Sequence, residues 1–198
     1  MNTEKVNNTA AGAGALELAI GRIAWAYVFY YLDINLGSIN VLPEWAAYAL
    51  ILSALPGLAA AERSAALLRP LAWLLLTLDA AEWAAGIFGA DFTGSVFYLV
   101  NTLARVISLY FHFQLLTNVA AIADGIDSQR AAGIRRLRNV CVIFNTMLAI
   151  PWPAERLGNV LQGVIGFGFA VIACVIIIWS LSVLFGLRRA LRGEAPRG

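Results

Sequence analysis

Asp79 and Glu82 lie three residues apart in the apolar stretch LTLDAAEWAAG, Leu76 to Gly86. On a helix that spacing puts both carboxylates on one face, and Gly86 continues the face a turn later. Two acids so placed in a hydrophobic segment could take up a proton or a cation. A second set follows: Asn101, Arg105, Ser108 and His112 recur at intervals of four, three and four, which is one side of a helix. Such a stripe is expected to turn away from lipid, and Arg105 is the natural partner of Asp79 and Glu82. One guanidinium cannot neutralise two carboxylates, so the second acid is expected to be protonated or to be met by Arg22.

These residues must be positioned by membrane helices. The 198 residues are 61% hydrophobic and only 13% charged, with a mean hydropathy of +0.76, and apolar segments near the length of a bilayer crossing recur along most of the chain. The expected fold is all-α, a polytopic transmembrane helix bundle forming one integral membrane domain over 1–198. Six spans are expected at about 15–32, 43–61, 70–89, 94–120, 139–153 and 157–187. The first fourteen residues lack a basic n-region, so the first hydrophobic segment is expected to remain in the protein. The fifth segment is short and ends at Pro151, so a half-helix is an alternative there. The second contains Pro56 and Gly57, and matching interruptions in two halves would suit a midplane binding site, but an ordinary helix end or kink is the favoured reading.

Loop charges set the orientation, because cytoplasmic loops collect Lys and Arg. With both termini cytoplasmic, eleven of the fourteen basic residues fall inside and only Arg156 falls outside. The loop 124–139 alone holds Arg130, Arg135, Arg136 and Arg138, expected to touch anionic lipid or a partner. On this topology Asp79 and Glu82 lie roughly 13 to 18 Å from the inner end of their span, and Arg105 roughly 16 Å from the outer end of the next. Arg22 lies roughly 10 Å from the inner end of the first span, on a face shared with Asp33, and His112 lies near the inner surface.

The connection after the first span reads YYLDINLGSINVLPEWAAYAL, Tyr30 to Leu50. Leu42, Pro43, Glu44, Trp45 and Tyr48 in it resemble a segment of small multi-spanning membrane proteins of Gram-positive bacteria, with Ala47 where those carry glycine. The fourth span's SLYFHFQLLTNVA is also similar to that group. The resemblance covers about the first 120 residues; it implies a bacterial multi-pass membrane protein and carries no activity with it. Read physically, Pro43 suits a first helical position and Glu44 the positive end of the helix dipole. Tyr27, Phe29, Tyr30, Tyr31 and Trp45 are expected to form an outer aromatic belt. An alternative use of the segment is an outward polar vestibule made by Asp33, Asn35, Asn40 and Glu44.

An enzyme is not expected. A single histidine and two cysteines make a poor metal site, and no nucleophile elbow, metalloprotease helix or phosphate loop is present. No cofactor is expected, and nucleic-acid binding has no support beyond the basic loop. The favoured expectation is a small transporter or permease of the plasma (inner) membrane, moving a proton, cation or small solute past Asp79, Glu82 and Arg105. The alternative is a non-catalytic membrane subunit or scaffold, in which the buried charges fix helix order and the partner is a second copy or another membrane protein.

Overall fold

The structure, a computed structural model, describes residues 3–32, 35–36, 39–40, 43–88, 94–149 and 158–194. Among them run six α-helices: α1 (Thr3–Tyr31), α2 (Glu44–Ala61), α3 (Leu68–Ile87), α4 (Ser95–Asp124), α5 (Ser128–Ala149) and α6 (Asn159–Glu194). Between α1 and α2 a two-residue antiparallel ladder pairs β1 (Asn35–Leu36) with β2 (Ile39–Asn40), Asn35 opposite Asn40 and Leu36 opposite Ile39. The protein is all-helical in architecture, and four of its helical segments are long and apolar enough to cross a membrane: Glu44–Ala61, Arg63–Ile87, Val96–Asp124 and Val160–Gly193.

The other two helices, α1 and α5, are more polar. In α1, Glu17 and Arg22 interrupt the apolar residues, yet Ile20, Ile23, Ala24 and Tyr27 are fully buried at helical spacing. The helix is thus the centre of the bundle, packed on α2 and α6. Close approach to α2 is permitted by Gly57, where a Cβ would meet the Ala15 carbonyl oxygen at 2.8 Å. At the opposite side of α1, Gly21 makes room for the Arg188 guanidinium. Arg188 and Arg192 of α6 converge on Glu17, with Nε to Oε1 distances of 2.9 and 2.6 Å.

The basic segment 124–139, expected as a loop, is mostly helix. Only Gly125 to Asp127 separate α4 from α5. Asp127 Oδ1 accepts from the Gln129 N–H at 2.8 Å, which satisfies a donor at the start of α5. The helix forms because Ala131, Ile134, Leu137, Cys141 and Phe144 recur on one face and are buried against the bundle. Arg135 and Arg136 sit on the exposed side, whereas Arg130 lies beside Gly186 of α6 and Arg138 against Phe113 of α4. Residue 139 lies within α5, not at the start of a fifth span, and the helix ends at Ala149. Pro151, Pro153 and Arg156 lie outside the described residues.

Proline placement also departs from expectation. Pro43 precedes α2 as its N-cap with extended ψ of 140°, and Glu44 is the first helical residue. Pro56 does not interrupt α2, which continues to Ala61. Pro70 falls in the first turn of α3, where its missing N–H costs no helical hydrogen bond. The link from α2 to α3 is a 3-10 turn, Arg63–Leu67, capped by Glu62. The Ser64 hydroxyl and backbone N–H both donate to Glu62 and hold its carboxyl below the usual glutamate range.

Candidate functional site

The two expected sets of charges do not meet. Asp79 is half-buried and turned into the bundle, whereas Glu82, one turn later on α3, is exposed. The stripe on α4 is likewise divided. Ser108 and His112 are buried; Asn101 and Arg105 are exposed. No ion pair joins Arg105 to Asp79 or Glu82 among the described residues. The cause is that α4 outreaches its neighbours: nearly every residue from Val96 to Val106 is exposed, so that half of the helix has no interior side for a stripe to face.

What surrounds Asp79 instead is a set of tyrosines. Glu44, Tyr30 and Tyr48 all lie within its electrostatic reach, and its Oδ2 is buried with no hydrogen-bond partner among the described residues. Tyr48 and Tyr30 place their hydroxyls 2.8 and 3.3 Å from Ser108 Oγ. His112 sits against Tyr30 at 4.1 Å between ring centroids, with Tyr27, Tyr48 and Phe111 at 5.5, 5.8 and 5.3 Å. Neither imidazole nitrogen has a hydrogen-bond partner among the described residues, and the buried Tyr27 hydroxyl has none either.

Depth along the helices agrees for all of these groups. At 1.5 Å per residue Asp79, His112, Tyr30 and Tyr48 stand roughly 17 to 20 Å from Leu68, Asp124, Glu17 and Ala61, which share one end of the bundle. His112, expected near a helix end, is therefore midway along the bundle. Of the tyrosines expected in an outer belt, Tyr27 is 1% exposed, and Tyr30 and Tyr31 are half-buried. Tyr27, Tyr30 and Tyr31 share a helix face with Ile20 and Ile23, a periodicity that marks them as core. Trp45 packs edgewise on Trp83 of α3 at 5.7 Å.

On its α5 and α6 side this cluster opens into a pocket of about 290 Å³, lined by Tyr30, Tyr31, Glu44, Phe144, Asn145 and Phe169 among others. Glu44 is the one residue of the vestibule alternative whose side chain is described, and it lines this pocket. Asp33 lies outside the described residues, and of Asn35 and Asn40 only the backbone is described. A second polar group occupies the Leu68 and Asp124 end of the bundle, where Ser64 Oγ bridges Glu62 and Asn118 at 2.8 and 2.9 Å and Gln114 donates to Asn118 at 3.1 Å. Beside Gln114 and Asn118, α4 also contributes the fully buried Leu115 and Leu116.

The remaining expected site residues are structural in their surroundings. Arg22 is exposed and donates to the Ser53 carbonyl oxygen at 2.8 Å, one residue from the carbonyl that Pro56 deprives of its helical partner. Arg130 and Arg135 pair with Asp127 and Asp124, each at 3.2 Å. Arg138 lies over the Phe113 ring at 4.5 Å and donates to Thr117 Oγ1 at 3.1 Å. Arg136 is exposed. Comparison with known proteins finds no matching family, no matching curated protein and no matching solved structure.

Proposed function

We propose that this protein is a small plasma-membrane permease for a proton or small cation, with six crossing helices and both chain ends on the cytoplasmic side. The observation that carries the reading is Asp79, a half-buried carboxylate midway along a helix bundle with one oxygen unpartnered. An intramembrane acid without a counter-ion is costly and tends to mark an ion route. Tyr30 and Tyr48, whose hydroxyls meet at Ser108, lie within its electrostatic reach, as does Glu44, which lines the open pocket. The Glu62, Ser64, Gln114 and Asn118 group supplies polar atoms at the other end. Leu115 and Leu116 are buried beside Gln114 and Asn118, so passage at that end requires apolar side chains to part.

The roles differ from those expected of the same residues. Asp79 is the ion-binding group, Ser108 fixes the tyrosine hydroxyls, and His112 forms one wall. Glu82 and Arg105 have no part in the path. Potential-driven proton or cation flux in proteoliposomes tests this. Asp79→Asn, inserted and folded as the wild type, is expected to fall to the background of empty liposomes, while Glu82→Gln retains flux. Equal flux in wild type and Asp79→Asn would sink the proposal.

A second reading, that the chain is a subunit of a larger membrane assembly, is favoured by Glu82 and Arg105 themselves. Exposed charges of opposite sign on adjacent, otherwise apolar helices suit a two-fold contact between copies, in which Glu82 of one faces Arg105 of the next. Differently tagged copies carrying Glu82→Cys and Arg105→Cys, co-expressed with Cys174→Ala in both, are expected to cross-link in native membranes. A single-copy count in the membrane would remove this reading.

A further inference from the structure

A groove of about 700 Å³ runs between α1 and α2, and α6 reaches one end of it through Arg188. The two ends differ in chemistry. At the first, Arg22 of α1 donates across the groove to the Ser53 carbonyl oxygen of α2 at 2.8 Å. Arg188 joins it there, with Nη1 standing 3.3 Å from where a methyl group on Gly21 would be. Phe29 lies seven residues beyond Arg22, and Trp45 eight residues before Ser53, so these two rings mark the other end roughly 10 to 12 Å away. Trp25, Ala46, Ala49 and Leu50 line the interval.

A cationic end continued by an apolar trough fits a molecule with an anionic head and a hydrocarbon tail. A guanidinium carries five N–H groups; the Ser53 bond engages one on Arg22, and the Glu17 bond engages Nε of Arg188. Two such planar forks side by side suit an oxyanion with several equivalent oxygens, as a phosphate has. Arg22 is exposed between Leu18 and Trp25, themselves 55% and 54% exposed, so in a membrane this face meets lipid. A charge among acyl chains is costly, and a phosphate drawn to it offsets that cost. Free phosphate would use only the cationic end, whereas a phospholipid uses the whole length. A choline headgroup would bring a quaternary ammonium toward the two guanidinia, which favours an anionic headgroup over a zwitterionic one. We infer that this groove binds an anionic phospholipid, its phosphate at Arg22 and Arg188 and one acyl chain laid toward Phe29 and Trp45. The inference does not rest on the permease reading.

The test is native mass spectrometry of the full chain in detergent, equilibrated with equimolar phosphatidylglycerol and phosphatidylcholine of identical acyl chains. The wild type is expected to retain phosphatidylglycerol over phosphatidylcholine by at least about fivefold. Arg22→Gln, an exposed position whose amide can still donate to Ser53, is expected to bring that ratio below about twofold. Ala49→Phe fills the trough with both guanidinia untouched and is expected to lower retention of both lipids. Arg136→Gln, at an exposed position on α5, is expected to keep the wild-type ratio. Should Arg22→Gln fail to fold, Ala49→Phe decides the matter. Equal retention of the two lipids by wild type, an undiminished ratio in folded Arg22→Gln, or undiminished phosphatidylglycerol in Ala49→Phe overturns the site. An equal loss in Arg136→Gln and Arg22→Gln also overturns it, as attraction to basic surface in general.

Discussion

Ser108 shows how the site is held at the level of single side chains. Its hydroxyl is shared by Tyr48 at 2.8 Å and Tyr30 at 3.3 Å, and all three helices that meet there, α1, α2 and α4, depend on it for a polar contact. Ser108→Ala leaves the Tyr48 hydroxyl buried and unmatched, at a cost of about 1 to 3 kcal/mol. Tyr48→Phe in the same background removes the unmatched group, so the double variant is expected to melt above the single Ser108→Ala variant. A thermal melt in detergent measures it; additive losses would show that the hydroxyls do not interact. Asp79, Ser108 and His112 were legible as site residues, because a polar group in an apolar helix is conspicuous. Their tyrosine partners were not, since an aromatic residue near a helix end reads equally as an interfacial anchor or as core. Only the position of Tyr27 with Ile20 and Ile23 on one face distinguishes the two.

Among the elements, α2 and α5 carry the clearest lessons. Gly57 admits α1 against α2 so closely that an added methyl would stand 2.8 Å from the Ala15 carbonyl oxygen, a backbone atom with no freedom to swing aside. Gly57→Ala is expected to destabilise the protein by about 1 to 3 kcal/mol, read as a lower midpoint in a thermal melt; an unchanged midpoint would mean the helices part without penalty. Gly12 and Gly14, whose added methyls would meet nothing within 4 Å, serve as controls. A sequence displays Gly57 beside Pro56 and suggests a break, although α2 runs straight through both. In α5 the four arginines dominated the composition and concealed the apolar period of Ala131, Ile134 and Leu137 beneath them. That period was present in the sequence and is sufficient to specify a helix. The three-residue turn between α4 and α5 was hidden for the same reason.

In the whole molecule, the number of helices was readable from hydropathy, although α1 starts at Thr3 and α5 at Ser128, well before the expected positions, and four helical segments carry the length and apolarity of membrane spans. The arrangement was not. The expectation that consecutive helices pair led to Arg105 facing Asp79, whereas α4 packs most extensively on α5 and α1 lies between α2 and α6. Nothing local in a chain reveals that α1 is central, because its burial depends on partners more than a hundred residues away. Glu17 is the polar tie of that arrangement, held by Arg188 and Arg192 of α6. Glu17→Gln is expected to free the α6 end, measured as faster trypsin cleavage at Arg188 and Arg192 while the midpoint of melting moves by less than about 1 kcal/mol equivalent, since Arg192 is largely exposed. Unaltered cleavage would place the tie elsewhere.

That tie also orders events in the making of the protein. Glu17 and its arginines are 171 and 175 residues apart, so α1 cannot complete its burial until α6, the last of the described helices, has left the ribosome. Until then α1 must wait with the side that carries Glu17, Gly21 and Trp25 lacking its α6 partners, and a chain arrested before α6 would be recognised by quality-control proteases through that same surface.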